Sequence, residues 1–214
     1  MPNNRKKSYV QKNRLLKNGL LLTGMSFLLL CISGFTVASS EQSPENLPAQ
    51  TLGFDIDTYE PDQTEWAEKM IAKYEKAKVT DEQPLAILKI DHLNLEAPVY
   101  HGTDRVTLDR GLGYIEGTTP PGEVGNIALS GHRDSFFRVL KDIKVGDSIE
   151  MRTSKGVEDF EVSDISIVGA LEVSVLDPTD TTVLTLITCH PFYYVGYAPD
   201  RFIVRATPVN QGLN

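Results

Sequence analysis

An antiparallel β-barrel or sandwich led by a single helix is the fold class that this 214-residue chain predicts. Two observations carry that expectation. From Pro84 onward the chain is a series of short apolar runs broken by turn residues, the texture of many short strands. Just before it, Trp66, Met70, Ile71, Tyr74 and Ala77 recur at a spacing that makes one helical face. A third observation sets the scale. Composition is 41% hydrophobic and 23% charged, ordinary for a globular protein, and the roughly 170 residues beyond the first forty are enough for one domain with a substantial core.

The helix is expected from Thr64 to Lys78, with Thr64 as its N-cap. Strands are expected at Leu85–Ile90, Leu95–Val99, Ile127–Ser130, Ser148–Arg152, Asp159–Val168, Leu184–Cys189 and Phe202–Ala206. Turn signals separate them at Pro120-Pro121-Gly122, Val145-Gly146-Asp147, Lys155-Gly156 and Asp177-Pro178-Thr179. The two longest turn-rich stretches, 169–182 and 190–200, lie on either side of the strand that ends at Cys189. Loops beside a reactive group on a rigid strand are where a substrate groove would be built.

Charge is unevenly placed. Residues 1–18 hold Arg5, Lys6, Lys7, Lys12, Arg14 and Lys17 and no acid, whereas residues 41–214 hold the other 15 basic residues and all 29 acidic ones. So acidic a domain argues against nucleic acid as a partner, because phosphate recognition needs a basic surface. Between these regions, residues 19–38 are uncharged. As a helix they would span roughly 30 Å, the thickness of a bilayer's hydrocarbon core. Cations on the N-terminal side place that end in the cytoplasm and the rest outside. Thr36-Val37-Ala38 before Ser39 also has the small residues of a signal-peptide cleavage site, so an uncleaved anchor and a cleaved leader are both open. The expected organisation is therefore a basic cytoplasmic tail at 1–18, a transmembrane anchor at 19–38, an extracellular tether at 39–62 and a folded domain at 63–214. Cys31 falls inside the apolar run and is expected to pack against lipid.

Cys189 is then the only cysteine of the exported domain, so no intrachain disulfide within that domain can include it. Oxidising surroundings select against an idle thiol. His132 sits in Ser130-Gly131-His132-Arg133-Asp134, and Arg201 follows Cys189 by twelve residues. A thiol, an imidazole that can take its proton, and a guanidinium able to stabilise an oxyanion are the groups that cysteine acyl transfer requires. Taken singly, each has a plain structural reading: a buried cysteine, a turn histidine, a surface arginine. Asp134 could orient the imidazole or cap the turn that follows it. Thr188 and His190, next to Cys189, are candidate substrate-binding residues, although His190 could also face away. The acid pairs Asp177/Asp180 and Asp55/Asp57 lack the spacing of a dedicated calcium loop, and neither a metal nor a cofactor is expected.

In context these residues match a specific pattern. Thr185-Leu186-Ile187-Thr188-Cys189, with Arg201 opening Arg201-Phe202-Ile203-Val204, resembles the signature of sortases, the membrane-anchored cysteine transpeptidases of Gram-positive bacteria. Gly111-Leu112-Gly113-Tyr114 through Thr118, Pro121-Gly122-Glu123-Val124-Gly125-Asn126 and Ala128 through Asp134 follow the same pattern in order, so the resemblance runs from about residue 85 to residue 207. Many sortases carry a histidine where this chain has Tyr114. The resemblance implies an eight-stranded sortase-type β-barrel. It implies Cys189 as nucleophile, His132 as general acid/base and Arg201 as the group that holds substrate and oxyanion. The implied partners are surface proteins bearing a Leu-Pro-X-Thr-Gly-type signal and a peptidoglycan-precursor amine, and the implied location is the cell membrane, single-pass, with the catalytic domain outside. Within the family the chain most resembles class D, having no Asp-Pro-aromatic lid ahead of the barrel and no second C-terminal apolar segment. Two rivals remain. An L,D-transpeptidase would place its cysteine in a Ser-X-Gly-Cys-Arg-type motif, which is absent here, and a non-catalytic surface β-domain would bind a wall component with an inert thiol.

Overall fold

The computed structural model describes residues 53–194 and 196–209. The basic tail, the apolar segment 19–38 and the first part of the expected tether lie outside the described residues. Among those residues no helix is long and apolar enough to cross a membrane.

Eight strands close into a barrel in the order β1-β2-β3-β4-β7-β8-β6-β5. They are β1 Ala86–Ile90, β2 Leu95–His101, β3 Leu112–Tyr114, β4 Asn126–Ser130, β5 Ser148–Thr153, β6 Gly156–Gly169, β7 Val183–His190 and β8 Asp200–Pro208. Two α-helices accompany them, α1 Glu68–Ala77 and α2 Arg105–Arg110, with short 3-10 helices at Asp91–Leu93, Phe136–Asp142 and Ser174–Leu176. Most neighbours pair antiparallel, but β2 with β3 and β4 with β7 run parallel. The parallel β4–β7 seam matters most, since it aligns Ser130 with Ile187.

Strand alternation sorts the side chains. Leu184, Leu186, Val204 and Ala206 point into the barrel and join Ile127, Leu129, Phe137 and Phe160 in the main core. The intervening positions Ile187 and Ile203 point outward and form a separate apolar patch with Ala128. Gly113 and Gly131 are required by close approach. A Cβ on Gly113 would stand 2.3 Å from the Gly102 carbonyl, and one on Gly131 would stand 2.7 Å from the Phe137 ring.

Three features differ from the sequence expectations. The helix begins at Glu68 with Ala67 at its N-cap and no side-chain cap; Thr64 instead bonds back to Asp62. Besides the 3-10 helices, one strand and one α-helix are additional, β3 and α2, the latter capped by Asp104, whose carboxylate accepts from the Val106 and Thr107 amides. Finally, the end of the expected tether is packed: Phe54 is buried against Ile87, and the Tyr59 hydroxyl donates to the Glu96 carbonyl at 2.5 Å.

Candidate active site

Cys189 is half-buried and is the one free cysteine among the described residues. It lies on β7 directly opposite Arg201 on β8. Residues opposite one another on antiparallel strands share a face, with Cβ atoms about 4.5–5.5 Å apart. By alternation that face is the outer one, which also carries Ile187 and Ile203. The thiol and guanidinium therefore stand at one end of the apolar patch formed by Ala128, Ile187 and Ile203. Ile115, Val168, Val175 and Leu176 pack around this patch. Ala128, Ile187 and Ile203 are themselves buried under these side chains, so the patch seats the 169–182 loop on the strands beside the thiol.

His132 reaches the same end by way of the β4–β7 seam. Past Ser130 the chain stays bonded to β7: the Gly131 amide donates to the Ile187 carbonyl at 3.2 Å, and the Thr188 hydroxyl donates to the Gly131 carbonyl at 2.7 Å. His132 thus follows a glycine fixed beside Thr188, at the level of Cys189. Arg201 donates to the carbonyls of Asp200 at 2.9 Å and Ala198 at 3.3 Å. These bonds hold its guanidinium at the root of the 190–200 loop.

Thr188 and His190 stand on the face away from the thiol, the alternative left open for His190. As neighbours of Cys189 on one strand, both project to the opposite face. Thr188 is only 2% exposed and gives its hydroxyl proton to Gly131. His190 stacks on Phe202 and meets Phe192 edge-on, with its Nδ1 buried and unpartnered. Thr188 holds the His132 turn against β7, and His190 packs on an aromatic pair.

Burial pushes the His132 pKa below its ordinary value, while the carboxylates of Asp134 and Asp109 push it back up and Lys73 adds to the lowering. Neutral imidazole is therefore the favoured form near neutral pH, as a proton acceptor needs. Asp134 forms an ion pair with Lys69 at 2.9 Å, and its carbonyl accepts from the Ala67 amide. The imidazole Nε2 instead faces Asp109 of α2, 3.5 Å from its Oδ1.

Two arginines had no role in the sequence reading. Arg133, next to His132, donates to the carbonyls of Pro191, Tyr194 and Gly196 at 2.9–3.1 Å. Arg138 donates to Phe192 at 2.7 Å and lies over the Tyr193 ring. Together they tie the loop after the cysteine to the segment that carries the histidine. The other loop is tied through Asn126, whose amide donates to the Val175 and Asp177 carbonyls at 3.0 Å each while accepting from Thr185 at 2.6 Å. Arg205 adds a bond to Val175 at 3.2 Å.

A closed eight-stranded barrel with a thiol and an arginine paired across two of its strands, and a histidine turn bonded beside them, defines a class of cysteine enzyme fold. A sortase domain model matches residues 88–209. The chain belongs to the sortase family. It is 37% identical over 131 residues to sortase D of Bacillus subtilis, covering 57% of this chain and 62% of that protein, so the match spans somewhat under two thirds of the relative's length. Among solved structures, the catalytic domain of SrtD from B. anthracis is 34% identical, with a TM-score of 0.51, covering 62% of this chain and 93% of that one. A Clostridium perfringens sortase D5 transpeptidase shares the fold at a TM-score of 0.55 and 23% identity, covering 70% and 92% of the two chains.

Proposed function

We propose that this protein is a membrane-anchored transpeptidase that cleaves a Leu-Pro-X-Thr-Gly-type sorting signal after threonine and joins the released carboxyl to a cell-wall amine. The observation that carries the reading is the Cys189–Arg201 cross-strand pair at the end of the outward apolar patch. The sorting peptide would lie beside the 169–182 loop that covers that patch, with its scissile carbonyl over Cys189. His132 takes the thiol proton, and the sulfur attacks the threonine carbonyl carbon. Arg201 faces the oxygen that gains negative charge. Collapse breaks the C–N bond as His132 returns the proton to the leaving glycine nitrogen, leaving a thioester on Cys189. An incoming amine attacks the thioester, His132 removes its extra proton, and the thiol is regenerated as the new amide forms. In the same proposal, residues 19–38 anchor the chain with residues 1–18 inside the cell and the 63–214 domain outside, on a Gram-positive membrane.

The test is a panel of pentapeptides offered with and without hydroxylamine or a short amino-terminal peptide. A thioacyl adduct on Cys189 by mass spectrometry and a ligated product with amine present are the expected results. Brisk hydrolysis that never incorporates amine would make the enzyme a protease. A Cys189 that forms no adduct and resists alkylation would leave a non-catalytic binding domain. Protease added to protoplasts should digest the C-terminal domain of a membrane-bound protein; a shortened form in the medium starting near Ser39 would show a cleaved leader instead.

A further inference from the structure

His132 Nε2 is buried without a hydrogen-bond partner. Such an atom is costly unless something answers it. The group it faces is Asp109, on the last turn of α2, whose side chain is 10% exposed and whose Oδ1 is 3.5 Å away. We infer that Asp109 is a positioning residue for His132: its carboxylate accepts from Nε2–H, which fixes the imidazole in one tautomer and leaves Nδ1 as the nitrogen that exchanges protons with thiol and leaving amine.

The inference rests on the proposed acyl-transfer role of His132. A separation of 3.5 Å is long for a hydrogen bond, but such contacts tighten once substrate fills a site. Asp109 is kept in place from two sides. Lys73 of α1 pairs with Oδ1 at 3.4 Å, and Arg105, one turn earlier on α2, lies 3.7 Å from Oδ2. Lys69, one turn before Lys73 on α1, pairs with Asp134, two residues after the histidine. The leading helix thus places one ammonium on each of the two carboxylates that act on His132. Each lysine limits how strongly its carboxylate holds the imidazole as a cation, and Asp109 can orient the ring without keeping it protonated. Arg133 and Arg138 on the histidine's own segment, Cys189 and His190 on β7 and Asp200 and Arg201 on β8 are further charged or titratable groups at this end of the barrel.

The test uses the full-length chain in detergent with 15N-labelled histidine, where ring nitrogen shifts report both the tautomer and the titration of His132, assigned with His132→Gln. The wild type should show the Nε2–H tautomer. Asp109→Asn should lower the His132 pKa and mix the tautomers, Lys73→Met should raise the pKa with the tautomer kept, and Asp109→Glu should restore the tautomer at least in part. Asp134→Asn should lower the pKa and leave the tautomer alone. With peptide substrate, Asp109→Asn should reduce kcat about ten-fold or more with KM within about two-fold, and the acid limb of its pH profile should move down with the titration. An unchanged tautomer in a folded Asp109→Asn protein, judged by the shifts of the other histidines, overturns the positioning role. Because the NMR readout needs no turnover, a wild type that cleaves no sorting peptide would defeat the functional reading and leave the tautomer result standing on its own.

Discussion

The two loops that flank the Cys189 strand are held by different parts of the barrel. The loop at 169–182 is fixed by Asn126 of β4 and Arg205 of β8, which reach the carbonyls of Val175 and Asp177. Neither arm carries a reacting group. The loop at 190–200 is fixed by Arg133 and Arg138, from the same short segment as His132. Moving the first loop should change how the apolar patch is walled; moving the second should change where histidine and thiol stand relative to one another. Binding and chemistry are therefore separable by mutation, in KM on one side and kcat on the other.

The largest expected effect belongs to the point where the loops meet. Cys189→Ala should abolish cleavage and the thioacyl adduct, since no other group can form that bond. His132→Ala and Arg201→Ala should each reduce kcat/KM about 10²–10⁴-fold, the range of proton transfer and oxyanion stabilisation. Steady-state cleavage of the best pentapeptide measures all three, and full activity in Cys189→Ala would remove the chemistry from this end of the barrel.

Next comes Arg133→Ala, which deletes three bonds to the 190–200 loop while leaving His132 in the chain. A loss of about ten-fold in kcat is expected, with KM changed far less. Arg133→Lys should recover little, because one ammonium cannot reproduce a planar fork directed at three carbonyls. A loss expressed in KM alone would show that this loop belongs to binding, like its counterpart.

The barrel was legible because its apolar runs are bounded by turn residues: seven of the eight strands lie where those runs and turns put them. β3 was missed as an element because it is three residues around Gly113, too short to show a period. α2 was missed because its six residues hold little apolar signal, although Asp104 followed by Val106 and Thr107 is a capping signature. Asp109 went unseen with it. No local pattern announces that a carboxylate on a short helix will face a histidine 23 positions later; only the chain path does. Thr188 and His190 are a different lesson. The strand ending at Cys189 was recognised, and strict alternation already puts its neighbours on the other face. Within a strand, adjacency to a reactive residue places a side chain on the opposite face, as the facing-away alternative for His190 has it.

Asn126→Ala tests the quieter loop. Asn126 is 1% exposed and serves three partners at once, so the variant takes this partner from the Thr185 hydroxyl and the Asp177 carbonyl and leaves the Val175 carbonyl with Arg205. Removing one side of a buried polar arrangement costs about 1–3 kcal/mol, read as a lower denaturant midpoint. In kinetics the effect should be a KM raised several-fold, about 1 kcal/mol of ground-state binding, at nearly constant kcat. A fall in kcat as large as that of Arg133→Ala would mean that the two loops are coupled after all.

The smallest expected effect is a slope. Burial holds the His132 pKa below its ordinary value of about 6.5. The sign follows from proton counts. As pH falls below about 6.5 the unfolded chain takes up a proton at this histidine before the folded protein does, so the unfolded state is favoured and stability declines toward the lower folded pKa. Above that window the histidine contributes no pH dependence. Asp134 acts lower down: its pKa is depressed by Lys69 and His132 in spite of burial, so its contribution is present above its unfolded value and is lost as pH falls through the folded one. Urea unfolding of the wild type at a series of pH values should therefore show stability falling gently below pH 6.5 and more steeply in the acid range, where the carboxylates titrate. His132→Gln should remove the first decline and keep the second. If the upper slope persists in His132→Gln, it does not arise from this histidine, and proton uptake at His132 plays no part in the stability of the fold.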